Sequence, residues 1–237
     1  MGYDVSFHPI SPDEIQEWYF TPLTWMQQGQ EEKVLALAAQ HGIEDFYAEK
    51  YLDTLRVGAE TKPDELFDKS HGFYIAVVQG FFRDYYYTRG SSFSFLMEEK
   101  PEYTRYFTPW AQVVPTVLPN PAKNQIIENY CSGVYLSPNQ VLQILRDLEQ
   151  EPKVLEDLEK HWSDGQFAVL KKALTAAAEL GTGLLEATEV VEPNPLHPNE
   201  STCYSNLFHC DPDGVYLYID MAMKQIAQAM EQNKSDP

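Results

Sequence analysis

The sequence predicts an all-α fold, a multi-helix bundle around one central apolar helix, with at most one small β pair. Helix-start signals stand at Ser11 and Ser137, and apolar residues recur at helical spacing along most of the 237 residues. Strand signals are confined to 133–136 and 188–191. Because 43% of the residues are apolar, we expect residues 1–237 to share one core and to form a single domain.

The first helices are predicted from the signals at their ends. A capping box begins at Ser11 and predicts a short helix to about Phe20. Two more helices are predicted over 30–40 and 43–57. Gly42 separates them, since glycine suits the residue that follows a helix.

The central helix is predicted over 63–87, where apolar side chains follow helical spacing. The row consists of Phe67, Tyr74, Val78, Phe81 and Tyr85, with His71 in the remaining position. A helix with so much apolar circumference belongs in the middle of a bundle. We expect His71 to be a hydrogen-bonded core residue, and Arg83 to form an internal ion pair or to line a pocket.

A proline-rich connector divides the two halves. Five prolines between 101 and 121 exclude a continuous helix, and the many apolar residues among them predict a connector packed on the core. Further helices are predicted between Ser137 and Gly181, and a last one over 215–230. The segment 193–213 carries four prolines and many polar residues, which is typical of a long ordered loop with a function.

The net charge is the unusual feature of this composition. Thirty-six acidic residues against 17 basic ones give a net charge of −19. Such a surface repels phosphate groups and anionic lipids, so we expect no nucleic-acid and no membrane partner, whereas a cationic protein would be attracted. The sequence has no apolar run of transmembrane length, no apolar leader and only three cysteines, which favours a cytoplasmic protein with reduced thiols.

The best metal candidate is the group Cys203, His209 and Cys210, with Asp211 and Asp213 beside it. Zinc sites use close-spaced ligand pairs of the CxxC or HxxxH kind, and this group has none. We therefore predict no metal and no cofactor, and we expect these side chains to pack within the loop.

Two pairings suit nucleophilic catalysis, Cys131 with His71 or His161 and Ser201 with His197. Neither lies in a family signature such as a nucleophile elbow. The sequence thus favours a protein without enzymatic activity. A small metal-dependent or cysteine–histidine hydrolase stays open as an alternative.

The acidic residues are concentrated towards the two ends. Residues 1–60 carry 11 acidic and 3 basic side chains, and residues 181–237 carry 9 and 2. Since the last quarter also contains the long loop, we predict that its acidic side chains bind a partner. The predicted partner-binding residues are Glu186, Glu189, Glu192, Glu200, Asp211 and Asp213.

Two segments carry a resemblance. The stretches MGYDVSFHPI at 1–10 and STCYSNLF at 201–208 resemble those of uncharacterised bacterial proteins, which are similar to the immunity partners of antibacterial effectors. The resemblance implies a cytosolic, non-enzymatic protein that binds one toxin tightly, and it assigns no functional residue. Together with the charge it leads to the hypothesis that the protein occludes the basic active-site cleft of a cognate toxin. A scaffold or adaptor that self-associates through a tyrosine-rich surface is the third interpretation, and the oligomeric state stays open.

Overall fold

The computed structural model describes residues 3–62, 64–114 and 132–235 and shows an α/β fold. In chain order the described strands are β1 (Asp4–Ile10), β2 (Tyr85–Arg89), β3 (Ser132–Leu136), β4 (Gly183–Thr188), β5 (Val191–Glu192), β6 (Thr202–Cys203) and β7 (Cys210–Asp211). Five of them form a mixed sheet in the order β3-β4-β1-β2-β7, while β5 pairs with β6. The prediction of an all-α bundle is therefore wrong.

Helices cover both faces of this sheet. Before β2 they are α1 (Pro12–Ile15), α2 (Thr21–Gln27), α3 (Glu31–Gln40), α4 (Asp45–Ala59) and α5 (His71–Phe82), with a π-helical turn at Gln16–Phe20. After β2 they are α6 (Phe93–Glu99), α7 (Trp110–Val113), α8 (Pro138–Gln150), α9 (Pro152–His161), α10 (Gln166–Leu180) and α11 (Pro212–Ser235). The helices up to α5, together with α7, share one apolar core against the sheet, and α6 and α8 to α10 share the other.

The central strand β1 explains why the strands escape a pattern search. It pairs antiparallel with β2, where Val5 faces Thr88, and with β4, where Ile10 faces Gly183. Both of its faces are buried under helices, so its residues need not alternate between apolar and polar. Pro9 lies beyond the end of the β1–β2 ladder, and its carbonyl accepts a hydrogen bond from Gln79 Nε2 (3.3 Å).

The predicted central helix over 63–87 is also wrong in its bounds. The helix α5 covers only His71–Phe82, and the chain turns extended at Arg83 before β2 begins at Tyr85. All three tyrosines of β2 are buried because helices pack on both sides of the strand. When a fully buried strand directly follows a buried helix, the apolar residues of the strand continue the apolar row of the helix. Periodicity alone does not show where the helix ends and the strand begins.

The predicted helix ends are confirmed where a side chain or glycine defines them. Ser11 and Ser137 each begin a helix with a capping box, and Gly181 ends α10 in the left-handed conformation at φ +68°. The connector packs on the core as predicted, with Tyr106 and Trp110 fully buried. Its residues from 115 onwards lie outside the described part of the chain.

Candidate functional site

A cleft of about 370 Å³ opens between α4 and α5. On α4 it is lined by residues at positions i, i+3, i+4 and i+7 from Lys50, which share one face of the helix. The complete lining is Lys50, Asp53, Thr54, Val57, Phe73, Tyr74, Val77, Cys203 and Tyr204. The cleft therefore joins an early part of the chain to the long loop near its end.

Residues 202–211, here called the closing segment, are fixed over the end of α5 by hydrogen bonds to backbone carbonyls. Ser205 Oγ donates to the Val77 carbonyl (2.7 Å), and His209 Nδ1 donates to the Gly80 carbonyl (2.9 Å). An alanine Cβ at Gly80 would stand under 3.0 Å from Ser205 Oγ, so the segment lies directly on the helix. Lys50 Nζ also donates to the Cys203 carbonyl (3.4 Å), which ties α4 to the same segment.

Large apolar side chains stand exposed beside this cleft. We call Phe46, Tyr204, Leu207 and Phe208 the apolar rim; their exposed fractions run from 49% to 84%. The ring centroids of Phe208 and Tyr47 lie 6.5 Å apart, and those of Tyr204 and Phe73 lie 5.7 Å apart. Contiguous exposed apolar groups around a concave site are typical of protein-binding surfaces, and aromatic residues dominate their binding energy.

The helix that carries this site is acidic on its solvent side. Glu44, Asp45, Glu49 and Glu60 are exposed, and none of them has an ion-pair partner within the described ranges. Arg56 is occupied by Glu31 and Asp53. The carboxylates around α4 therefore keep a negative field at the apolar rim, which favours a cationic partner.

The two described cysteines meet at one tyrosine. Tyr85 Oη lies 3.4 Å from Cys203 Sγ, and Cys210 pairs with Tyr85 across the β2–β7 ladder. Burial raises the pKa of the Cys210 thiol to about 12, and the nearby Cys203 adds to the rise. A thiol with so high a pKa stays protonated at neutral pH and is a poor nucleophile.

The residues weighed as a metal candidate contact other parts of the fold. His209 Nδ1 donates to the Gly80 carbonyl, and Cys203 Sγ lies 3.4 Å from Tyr85 Oη. Within residues 3–62, 64–114 and 132–235, no three His, Cys, Asp or Glu side chains are placed to hold a metal. Of the proposed catalytic pairs, Cys131 lies outside the described residues, and Ser201 Oγ accepts from the Asn194 backbone N–H (2.9 Å).

The six acidic residues predicted to bind a partner do not share one surface. Glu186 is fully buried on β4 and accepts from the Phe93 N–H (2.6 Å), so its side chain has no exposed surface. Asp211 and Asp213 both pair with Lys172. Glu189 and Glu192 are partly buried, and Glu200 is exposed in the long loop. Only part of the predicted set is thus available to another molecule.

A Ser–His–Gln series lies at the centre of the fold. Gln79 Nε2 donates to two carbonyls, which leaves Gln79 Oε1 as the acceptor for His8 Nδ1 (2.7 Å). Because His8 Nδ1 carries the proton, His8 Nε2 accepts from Ser6 Oγ (2.8 Å). Burial lowers the pKa of His8 to about 4, and the ring stacks on Tyr85. Since Ser6 and His8 are at most 1% exposed, this series ties α5 to β1 and has no access to a substrate.

The other residues singled out by the sequence are structural. His71 is a buried core residue whose Nδ1 lies 2.6 Å from Tyr19 Oη, as predicted. Arg83 forms an ion pair with Glu14 and stacks on the Trp18 ring, with the guanidinium carbon 4.7 Å from the ring centroid. The prediction of an internal pair for Arg83 is confirmed.

Comparison with known proteins identifies no relative. No protein-family model matches the chain, and neither the curated proteins nor the solved structures contain a match. None of the helices in the described ranges combines the length and apolar character that crossing a bilayer requires.

Sequence reasoning missed the apolar rim. Phe46 offered a signal, because it stands outside the buried α4 row that Tyr47, Tyr51 and Leu55 form, and an apolar residue off the row is a candidate for exposure. Leu207 and Phe208 offered none, since an apolar pair in a loop is as often buried as exposed.

Proposed function

We propose that this protein binds a basic protein partner, and that the cleft and the apolar rim are its docking surface. The observation that carries the proposal is the exposure of four large apolar side chains beside a cleft on an acidic helix. Burying such side chains in a partner releases water from apolar surface, while the surrounding carboxylates guide and align a cationic protein.

The groups at the cleft support binding rather than chemistry. Asp53 is already paired with Arg56, and Lys50 is engaged by the Cys203 carbonyl and lies 5.3 Å from the Phe46 ring. A hydrolase needs a nucleophile within hydrogen-bond reach of a base, and the described residues of this cleft contain no such pair. An apolar floor with an aromatic rim suits an inserted side chain or helix of another protein.

We further propose that the partner is a bacterial toxin with a basic active-site cleft, and that binding takes place in the cytoplasm. This narrower proposal is supported by the net charge of −19 and by the resemblance of residues 1–10 and 201–208 to immunity proteins. An acidic, aromatic surface competes directly with a polyanionic substrate for such a cleft.

The test measures binding to any basic, toxin-like protein encoded beside this gene, by calorimetry with both purified chains. We expect a complex at micromolar concentration or below, and a Kd that rises with added NaCl. Replacing Phe208 by alanine should raise the Kd about tenfold or more, because it removes the most exposed aromatic anchor of the rim.

The matched control is Leu142→Ala on α8, a residue that is 48% exposed but lies on the opposite helix layer. Its Kd should equal that of the unmodified protein. Equal losses in both variants, or no complex at micromolar concentration, would refute the docking surface.

A further inference from the structure

The last helix carries an apolar stripe, of which Ile219 and Ile226 are partly buried and the other members are exposed. In α11 the residues Tyr216, Ile219, Met223, Ile226 and Met230 follow one another at alternating intervals of three and four. Such spacing is the a/d pattern of a helix that pairs with another helix. Tyr216, Met223 and Met230 are between 49% and 64% exposed.

The exposed residues of the stripe lie away from the attachment of the helix to the body of the protein. The helix is attached by its first two turns, where Gly214 lies against the Tyr87 backbone and Leu217 packs on the α10 core. Tyr218 packs against Tyr87 and under the Arg89 guanidinium. At about 100° per residue, the centre of the stripe lies more than 90° around the helix from these three residues and about 60° from Val215, which packs beside Tyr218. The exposed part of the stripe is therefore open to a partner.

The charges along the stripe select the kind of partner. Between residues 216 and 230 the only charged side chains are Asp220 and Lys224, so this segment is neutral in a chain of net charge −19. A lipid surface would call for a basic polar face, and a cationic protein for carboxylates beside the stripe. These residues offer one base, Lys224, and one carboxylate, Asp220, whereas a neutral stripe meets a second copy of itself without repulsion.

The positions flanking the stripe are compatible with close approach. In heptad terms they are Asp220, Ala222, Ala227 and Ala229, of which three are alanines. Small flanking side chains let two helices come near each other. No carboxylate faces another across the pair when the helices run antiparallel.

We propose that α11 mediates homodimerisation by pairing antiparallel with α11 of a second copy. In this register Met223 meets Ile226 of the second copy and Ile219 meets its Met230, while Tyr216 lies beyond these layers. The attachment points at Leu217 then stand about 22 Å apart along the helix axis, at 1.5 Å per residue. That separation exceeds the Debye length of about 8 Å at physiological salt, so the two acidic bodies repel each other weakly. This interface is distinct from the cleft and does not depend on the proposed function.

Sedimentation equilibrium of the full chain between about 1 and 300 μM tests the proposal. We expect a mass that rises from 27.2 kDa towards twice that value as concentration increases, with tighter association at higher salt because screening weakens body repulsion. Replacing Met223 by glutamate should weaken dimerisation at least about tenfold, since a charge enters the middle of the apolar seam.

Gln228→Glu is the matched control, because it adds the same charge to the polar side of the same helix. It should leave the dimer constant unchanged, and circular dichroism should show equal helix content in both variants. A protein that stays at 27.2 kDa over the whole range overturns the proposal. So does a dimer that Met223→Glu and Gln228→Glu weaken equally, or that neither weakens.

Discussion

Replacing Gly183 by alanine is expected to lower the free energy of unfolding by more than about 3 kcal/mol. Gly183 begins β4 in the interior of the sheet, opposite Ile10 of β1. An added Cβ would stand under 3.0 Å from the Leu136 carbonyl oxygen and from Tyr135 Oη. The carbonyl belongs to a paired strand and the tyrosine donates to the Ile10 carbonyl, so neither yields without loss of hydrogen bonds.

Gly181, two residues earlier, supplies the control. Its φ of +68° is left-handed, but a Cβ added at this position would have open space, with nothing within 4 Å. Gly181→Ala should therefore cost only the backbone strain, about 1 kcal/mol. Urea unfolding followed by circular dichroism gives both values. A similar small loss for both variants would mean that β3 and β4 accommodate the methyl group, contrary to the packing described.

Between pH 4 and 7, two buried groups are expected to change stability in opposite directions. Burial lowers the pKa of His8 to about 4, so the unfolded chain binds a proton below pH 6.5 that the folded chain refuses, and stability falls as pH falls. Burial raises the pKa of Glu186 to about 7, so the folded chain holds a proton that the unfolded chain releases above pH 4.5, and stability falls as pH rises. Each effect amounts to roughly 3 kcal/mol, and the two largely cancel between pH 4.5 and 6.5.

Neutral variants should separate the two slopes. Glu186→Gln removes the loss of stability that deprotonation of Glu186 causes as pH rises. The unfolding free energy of this variant should therefore rise from pH 4.5 to 6.5. His8→Gln leaves Glu186 in place, so its unfolding free energy should have the more negative slope over the same interval. The lowered pKa values of His71 and His161 add the same positive slope to both variants, so the difference between the two slopes is the test. Urea midpoints at four pH values measure the slopes, and equal slopes in the two variants would contradict these assignments.

The parts of the fold that the sequence predicted well are those fixed by local chemistry. The box between Ser11 and Glu14 is complete in the structure, with the Ser11 N–H bonded to Glu14 Oε2 (2.8 Å) and the Glu14 N–H to Ser11 Oγ (3.2 Å). The end of α10 at Gly181 depends in the same way on one residue that tolerates a positive φ. Such signals are contained in a few consecutive residues, so a single sequence suffices to find them.

The sheet was missed because its signal is not local. Ser6 and His8 make β1 look polar on one side, yet both are buried because Gln79, 71 residues from His8, supplies the hydrogen bond. Glu186 likewise makes β4 look like a surface strand, and its carboxylate is satisfied by backbone N–H groups at the start of α6. A polar residue whose partner is distant in the chain misleads any argument from periodicity.

The sequence predicted the negative charge around the candidate site but not the location of the site. Acidic character at both ends of the chain was visible, and the structure brings α4 and the closing segment together at the cleft. The predicted surface on the carboxylates of the last quarter includes Glu186, which is buried. The exposure of Phe208 and Phe46 depends on how the closing segment crosses α5, which is a tertiary property.

The position of β1 has a consequence for synthesis on the ribosome. Its first neighbour, β2, emerges early, but its second neighbour, β4, ends only at Thr188. Until then the nascent chain has an unpaired strand edge along Val5–Ile10. Chaperones recognise such an edge, and strands of other nascent chains can pair with it. The sheet is thus completed only after synthesis has passed Thr188.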